Sequence, residues 1–200
     1  MPNSPSTLTG RRRELAQAAV AVVARSGMRG LTHRAVDAEA GVPEGTTSAY
    51  LRTKAALLTA MVDLVTEELA ADVDALARRI TQDGLAQGVG ATVDLLVAWL
   101  DRPDLLRVRA ELELEALRAP DVNAAIQPAR QRMLDVASTL VADHGCSEPE
   151  LRASAVVASL QGILSSVLHV PPALRADYVR STAGITLAAL LDSDVCLPPS

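Results

Sequence analysis

The sequence predicts an all-α fold of about nine helices. Ala, Leu, Val and Arg dominate its 200 residues, Phe is absent and aromatic residues make up only 2%. Such a composition favours helices over β-sandwiches, whose strands are rich in aromatic and β-branched residues. Apolar residues recur every three or four positions over long stretches, which is the spacing of a buried helix face. At 49% hydrophobic, the chain can form one large core or a small domain joined to a larger one.

Charge is distributed unevenly along the chain. Residues 1–55 carry eight Arg and Lys against four acids, whereas the remainder carries eleven against twenty. A basic N-terminal part followed by an acidic remainder is typical of a polyanion-binding module joined to a domain with a second function. The sequence contains no uncharged apolar run of 18 residues and no signal-peptide core, so we expect a soluble cytoplasmic protein that does not enter a membrane.

The cysteines and histidines do not indicate a ligand site. Cys146 and Cys196 are far apart and lack CxxC spacing, so we expect inert thiols rather than a disulfide or a redox sensor. The three His are also widely separated. No metal site and no cofactor are therefore predicted.

Three helices are predicted near the N-terminus, after a disordered arm over residues 1–10. The first ends at Gly27 and buries one face that consists of Leu15, Ala19, Val22 and Val23. Thr32 is a suitable N-cap for a short second helix over "HRAVDAEA", which buries Ala35, Val36 and Ala40 and stops at Gly41. Pro43 then precedes a third helix that contains "TTSAY".

The tight break "AGVPEG" between the second and third helices indicates a helix-turn-helix. Gly41 permits the positive φ that the reversal needs, and Gly45 lets the third helix approach a sugar-phosphate closely. The side chains expected to donate to phosphate oxygens are those of Thr46, Tyr50 and Lys54. The side chains short enough to enter the major groove and touch base edges are those of Thr47, Ser48 and Ala49. The alternative is that the hydroxyls only cap helices and that Tyr50 is a core residue.

A long helix follows, with Thr53 as its cap and apolar positions that continue to Ile80. Five further helices are predicted over the ranges 85–101, 103–118, 121–144, 148–169 and 173–192, with a tail over 193–200. Ser147 and Glu150 have the spacing of a capping box at the start of the fourth range. Within the last two helices the stretches "ASAVVASLQGILSSVLHV" and "GITLAALL" carry almost no charge, so we expect these helices to form a homodimer interface; burial within one chain is the alternative.

Residues 31–58 resemble the signature of TetR-family transcriptional regulators. The matching positions are Leu31, Thr32, Val36, Ala40, Gly41, Val42, Pro43, Gly45, Thr46, Tyr50, Lys54, Leu57 and Leu58. The resemblance implies a helix-turn-helix over residues 32–51 inside a DNA-binding domain over 11–55. It also implies a helical effector-binding and dimerisation domain over 56–192.

The same resemblance implies roles for individual side chains at the DNA. The positions that match the family's phosphate contacts are Thr32, His33, Thr46, Tyr50 and Lys54. The positions that match its groove-facing set are Arg34, Pro43, Glu44, Thr47, Ser48 and Ala49.

This sequence also departs from the family pattern. Ser48 replaces the usual Tyr and Ala49 is smaller than the frequent His, which reduces the recognition surface; Leu51 replaces the usual Phe. Glu44 stands where Lys is common, and it either accepts a hydrogen bond from cytosine N4 or only favours the helix N-terminus electrostatically. The run Arg11–Arg13 either reaches the DNA backbone or minor groove or is a solvated charge run.

An effector pocket between the middle helices is a further implication of the resemblance. Candidates for a mainly aliphatic cavity with a few polar groups are Trp99, Arg109, Leu112, Glu113, Leu117, Met133, Leu134, Gln161 and Leu164. Trp99 and Met133 can instead be core residues, and Arg109 with Glu113 can be an ordinary i,i+4 ion pair.

Together these features predict a DNA-binding transcriptional regulator that is not an enzyme. The family majority are repressors, so we expect a small-molecule effector to tilt the long helix and release the protein from double-stranded operator DNA. A helical protein-interaction adaptor without DNA binding is the main alternative. An all-α enzyme is a weaker one, because the sequence shows neither paired carboxylate and Glu-x-x-His motifs nor a nucleophile with a base.

Overall fold

A computed structural model describes residues 10–83, 87–143 and 148–192, which form nine α-helices and no β-strand. The helices are α1 (Arg11–Gly30), α2 (His33–Glu39), α3 (Thr46–Tyr50), α4 (Lys54–Asp83), α5 (Gly88–Trp99), α6 (Pro103–Ala116), α7 (Pro120–Asp143), α8 (Pro149–Ser166) and α9 (Arg175–Leu190). Short 3₁₀ segments at Val167–His169 and Pro172–Leu174 connect α8 to α9. The all-α prediction is confirmed. Most of the N-terminal arm, the tail, Ser147 and both cysteines lie outside the described residues.

The chain divides into two compact units, and neither is continuous in sequence. The first unit contains the residues up to Leu69 together with Pro103–Ala129. The second contains Ala70–Arg102 and the residues from Arg130 onward, so α4 and α7 contribute to both units. The division of function at residue 55 stays a prediction, but the packing divides the chain elsewhere because α6 packs on α1.

In the first unit, α2 and α3 pack against α1. The four apolar residues predicted to form the buried face of α1 are all buried. Gly27 leaves the helical conformation, with φ 64° and ψ −178°, and the chain then returns to helix as far as Gly30. The predicted stop at Gly27 is therefore a kink. In α2, Val36 is buried as expected, but Ala35 and Ala40 are only partly so.

The core of the second unit combines residues of α4, α5, α7, α8 and α9, and α9 packs against both α5 and α8. Arg152 of α8 is only 2% exposed, and its Nη1 donates to the carbonyl oxygens of Leu190 at 2.9 Å and Asp192 at 3.1 Å. These bonds satisfy carbonyls at the end of α9 that have no partner within the helix. The buried guanidinium therefore joins α8 to the C-terminal end of α9.

The start of α8 differs from the predicted capping box. Glu148 occupies the N-cap position with a left-handed φ of 52° and makes no side-chain cap hydrogen bond. Pro149 follows in the first turn, where its missing N–H costs no helical hydrogen bond. The helix thus begins one residue after the position that Ser147 was expected to cap.

Although polar residues interrupt it, so that it contains no strictly apolar run of 18 residues, the stretch Pro149–His169 is on average long and apolar enough to cross a membrane by length and composition alone. In the structure Ala153, Val156 and Val157 lie in the core of the second unit. This packing accounts for the apolar residues on one face of the helix. The apolar residues on its other face, such as the 56% exposed Leu151, are left uncovered in the single chain.

Candidate nucleic-acid interface and ligand cavity

A buried carboxylate holds the turn between α2 and α3. Asp37 is 3% exposed and accepts hydrogen bonds from the backbone N–H of Gly45 at 2.8 Å and of Thr47 at 2.7 Å. The Thr47 hydroxyl donates to it as well, at 2.5 Å. Because both donor residues lie at the start of α3, the carboxylate satisfies N–H groups that have no partner within the helix. Asp37 therefore fixes the orientation of α3 relative to α2.

The environment of Asp37 favours its ionised form. Burial disfavours the charge, but the hydrogen bonds from Thr47 and Gly45 and the nearby His33 outweigh it and lower the pKa of Asp37 from 3.8. The sequence motifs do not single out Asp37. The available signal was an acid beside the core residue Val36, eight positions before the turn glycine Gly45.

The prediction that Thr47 enters the DNA groove is wrong for this structure. Its side chain is fully buried, and its hydroxyl is used by Asp37. Short side chains favour entry into a groove, but they equally favour a place inside the turn. The hydrogen bond to a buried carboxylate decides between the two.

Three side chains predicted to contact phosphates have partners within the chain. Thr32 accepts from the N–H of Ala35 at 3.1 Å, which confirms it as the N-cap of α2. His33 Nε2 lies 2.6 Å from the carbonyl oxygen of Leu51. The Thr46 hydroxyl donates to the carbonyl oxygen of Pro43 at 2.6 Å, so it must turn to donate to a phosphate.

The remaining predicted DNA contacts are exposed. Ser48, Ala49 and Tyr50 of α3 all face solvent, and Tyr50 is 51% exposed, so the alternative that it belongs to the core is wrong. Lys54 is exposed in the first turn of α4, which Thr53 caps by accepting from the N–H of Ala56 at 3.0 Å.

The turn itself also presents predicted groove-facing residues. Pro43, Glu44 and Gly45 are exposed, and Gly45 has a φ of 92° that disfavours other residues. Glu44 Oε1 lies 3.8 Å from Arg34 Nε in a pair whose side chains are 75% and 85% exposed. At such exposure the pair contributes little stability, and both groups are accessible to a ligand.

Several cations of the first unit are neutralised within it. Arg11 pairs with Glu14 at 2.5 Å and Arg13 with Glu67 at 2.8 Å. Arg52, which the sequence analysis did not select, is exposed close to Lys54, and neither forms an ion pair within the part of the chain that the structure describes. The junction of α3 and α4 therefore offers two exposed cations to a polyanion.

The second unit contains a cavity of about 80 Å³. Its walls come from α4, α5, α7 and α8, and the lining residues are Val73, Leu76, Ile80, Thr92, Leu95, Leu96, Trp99, Met133, Val136, Ala137, Leu140, Val156, Val157, Leu160, Gln161 and Leu164. Fourteen of these sixteen side chains are apolar. The predicted candidates Trp99, Met133, Gln161 and Leu164 lie in this lining, and the α4 and α5 residues beside them were not anticipated.

The other effector candidates do not line this cavity. Leu134 packs against the core of the second unit instead. Arg109, Leu112, Glu113 and Leu117 belong to the first unit, where Leu112 is buried and Leu117 is 83% exposed. Arg109 Nη1 pairs with Glu113 Oε1 one turn away, which is the ion pair that the sequence analysis gave as the alternative. Spacing along one helix could not tell which face turns toward a cavity.

The indole of Trp99 is held from outside the cavity. Its Nε1–H donates to Asp72 Oδ2 at 2.8 Å, and Arg102 pairs with the same oxygen. Since the N–H is used in this way, the ring offers the cavity only its apolar surface.

A family model described as the Tetracyclin repressor-like C-terminal domain matches residues 83–193, more than half of the chain. The chain belongs to the TetR family. It is thus related to transcriptional regulators, as the helix-turn-helix signature implied.

Solved structures agree with this membership. The multidrug binding protein EbrR complexed with imidazole is 30% identical with a TM-score of 0.65, over 96% of this chain and 98% of that one. A TetR-family member from Streptomyces coelicolor A3 is 29% identical and has a TM-score of 0.62. The match covers 86% of this chain and 98% of that protein. A transcriptional regulator from Rhodococcus sp. Rha1 has a TM-score of 0.83 at 20% identity, and the match covers 94% of this chain and 100% of that protein. This likeness shows the shared fold. No protein with a curated description matches the chain.

Within the TetR family, the departures of this chain affect different parts of the structure. Ser48 and Ala49 are exposed on α3, on the surface that the resemblance predicts to face DNA. Leu51 is fully buried and changes only the core beneath it. The first two departures therefore change the exposed surface of α3, and the third changes packing.

Proposed function

We propose that this TetR-family regulator is a repressor. It binds double-stranded operator DNA as a homodimer in the cytoplasm and leaves the operator when a small molecule occupies the cavity of the second unit. The observation that carries the proposal is a helix-turn-helix whose turn is held by Asp37 and whose α3 leaves Ser48, Ala49 and Tyr50 exposed beside Lys54.

In this proposal α3 enters the major groove and the junction of α3 and α4 meets the phosphates. Lys54 and Arg52 supply positive charge, and the Tyr50 hydroxyl supplies a neutral donor. Ser48 and Ala49 reach base edges or a thymine methyl, but neither makes the bidentate contact that discriminates bases most strongly. We therefore infer that phosphate contacts contribute more of the affinity than base contacts.

The homodimer is proposed to form through α8 and α9. Large apolar side chains are exposed on both helices, with Leu151 at 56% and Ile185 at 73%. Small residues, Ala158 and Gly162 on α8 and Ala188 on α9, are exposed on the same helices and permit close helix packing. A two-fold dimer would place two copies of α3 about one DNA turn, ~34 Å, or a multiple of it apart.

Binding of a small molecule is supported by the cavity and by a relative. EbrR has been solved in complexes with proflavin, imidazole, ethidium and malachite green. The cavity of the present chain is the corresponding candidate for an effector, because it is lined mainly by apolar side chains with few polar groups.

Two helices are candidates for transmitting the effect of a ligand. α4 is one continuous helix that carries Lys54 in its first turn and the cavity residue Ile80 near its end. α6 begins four residues after Trp99, and its Glu111 accepts a hydrogen bond from the N–H of Met28 at 3.3 Å, next to the kink at Gly27. A coupling of about 1–3 kcal/mol between the two sites would weaken DNA binding by about 5- to 150-fold.

A mobility-shift assay with the promoter region beside its own gene tests the proposal. We expect salt-sensitive binding, and Lys54→Ala should weaken it for all DNA sequences alike because the lysine contacts phosphate. Ser48→Ala should instead change the preference at one base step. Arg78→Ala is the matched control, because it removes an exposed cation from the same helix in the second unit. Absence of salt-sensitive binding would favour the adaptor alternative.

A further inference from the structure

The cavity's chemistry narrows the class of ligand that the protein can take. We propose that the ligand is an uncharged, mainly apolar molecule of about one ring, with a single hydrogen-bonding group that meets Gln161. This inference rests on the proposed effector role of the cavity and specifies its ligand. It follows from the charge, the polar groups and the volume of the lining.

No charged side chain lines the cavity. Several acids on the lining helices have partners elsewhere: Asp72 accepts from Trp99 and Arg102, and Asp74 pairs with Arg132 at 3.0 Å. Asp135 accepts from the amide of Gln131 at 2.9 Å. A charged ligand would therefore lose its hydration without gaining a counter-ion, which strongly disfavours its entry.

Only one polar side chain of the lining is available to a ligand as a donor. The Thr92 hydroxyl donates to the carbonyl oxygen of Gly88 at 2.8 Å, and the Trp99 N–H donates to Asp72. The Gln161 side chain makes no hydrogen bond within residues 10–83, 87–143 and 148–192, and it is partly exposed. Its amide can both donate and accept, so it suits a ligand hydroxyl or carbonyl.

The cavity volume limits the size of the ligand. About 80 Å³ is roughly half of the ~150 Å³ that holds benzene in an engineered apolar cavity. A single ring therefore requires one lining side chain to move. Met133 is suited to this because it is partly exposed and its unbranched side chain has three rotatable bonds.

Trp99 makes occupation of the cavity directly measurable. It is the only Trp of the chain and lies in the lining, so its fluorescence reports a bound ligand without any DNA present. The probes are benzyl alcohol, the similarly sized benzylamine, which is a cation at pH 7, and toluene, all titrated into the full chain. We expect benzylamine to bind at least about 100-fold more weakly than benzyl alcohol, and toluene about 3- to 10-fold more weakly.

Two variants of Gln161 test the role of its amide. Gln161→Leu should remove the advantage of benzyl alcohol over toluene, because the hydrogen-bonding group is lost while the apolar volume is kept. Gln161→Glu should reverse the charge preference and make benzylamine the tightest of the three probes, because the cavity then contains a counter-ion. Gln127→Leu, which changes an exposed glutamine of α7, should leave all three affinities as in the wild type.

The outcomes separate this inference from the proposed function. Equal binding of benzylamine and benzyl alcohol by the wild type, or no change of Trp99 fluorescence with any probe, would overturn the inference. Failure of Gln161→Glu to favour benzylamine would overturn the placement of the polar group. If the probes bind in the expected order but operator DNA binding is unaffected, the ligand class stands and the proposed release mechanism fails.

Discussion

The helix-turn-helix and the cavity use polar groups in opposite ways. At the turn, one buried carboxylate collects three hydrogen bonds between 2.5 and 2.8 Å, and so every polar atom has a defined direction. Around the cavity, fourteen apolar side chains form most of the lining, and the Gln161 amide makes no hydrogen bond within the described residues. Hydrogen bonds depend on distance and angle, whereas apolar contacts depend mainly on volume. For the proposed function, the first arrangement suits a surface that matches the regular shape of DNA, and the second suits a site that adapts to a ligand.

The largest effect is expected from removing the carboxylate. Asp37→Ala leaves the N–H groups of Gly45 and Thr47 and the Thr47 hydroxyl without their acceptor, at about 1–3 kcal/mol for each buried group. We expect the free energy of unfolding, measured by urea denaturation, to fall by at least about 3 kcal/mol, with loss of DNA binding. Asp101→Ala, at an exposed acid, is the control. Equal effects of the two substitutions would contradict the role assigned to Asp37.

Lowering the pH should gradually remove the stabilisation that the ionised Asp37 carboxylate provides. Since the pKa of Asp37 is lowered from 3.8 in the folded chain, the ionised group stabilises the fold above that value. The contribution is lost as the pH falls through the lower, folded pKa. We expect the difference in free energy of unfolding between wild type and Asp37→Asn to be constant above about pH 5 and to shrink below about pH 4. A difference that instead grows as the pH falls would show that the pKa of Asp37 is raised, not lowered, in the folded chain.

An intermediate effect is expected at Thr47. Thr47→Val keeps the shape of the side chain but removes the hydroxyl that donates to Asp37, which should lower stability by about 1.5–3 kcal/mol. DNA affinity should then fall by the same factor for every operator sequence, because the residue braces the turn from inside. Thr47→Ser, which keeps the hydroxyl, is the control. If mobility shifts with operator variants instead showed a changed base preference, Thr47 would contact the DNA groove and its assigned role inside the turn would be wrong.

The cavity wall should tolerate a comparable change of shape. Leu76→Met conserves the volume of a lining residue that makes no directional contact with its side chain, so we expect a loss of less than about 1.5 kcal/mol. Thermal unfolding would measure it next to Asp37→Asn, which is equally conservative in shape. A larger loss for Leu76→Met than for Asp37→Asn would remove the distinction between the two regions.

The smallest effect on stability is expected at the exposed pair. Glu44→Gln breaks the contact of Glu44 with Arg34, whose side chains are 75% and 85% exposed, and should change the free energy of unfolding by less than about 0.5 kcal/mol. DNA binding should become a few-fold tighter for all sequences at low salt, because an acid near the phosphates is neutralised. Weaker binding to one sequence alone would mean that Glu44 accepts from cytosine instead.

Much of the fold could be predicted because the helices are marked by local chemistry. Thr32 and Thr53 cap their helices as expected, and Gly41 has the positive φ of 63° that the turn needs. Apolar spacing also identified the buried face of α1. These features depend on residues close in sequence.

The parts that escaped prediction depend on contacts between distant residues. Whether Thr47 faces a groove or Asp37 is decided by the angle between α2 and α3, which a single sequence does not specify. Only some of the residues predicted to line an effector pocket do so, for a similar reason. Trp99 and Gln161 line it, whereas Arg109 and Leu117, on a neighbouring helix in the chain, belong to the other compact unit.

The attachment of α6 to α1 matters for anyone who wishes to exchange DNA-binding specificities between members of this family. A swap made at residue 55 would transfer α1–α3 but leave behind the helix whose Glu111 binds Met28. The transplanted module would then meet a foreign α6 at the kink of Gly27. A working chimaera should therefore be made from two separated segments, with α6 travelling together with the N-terminal helices.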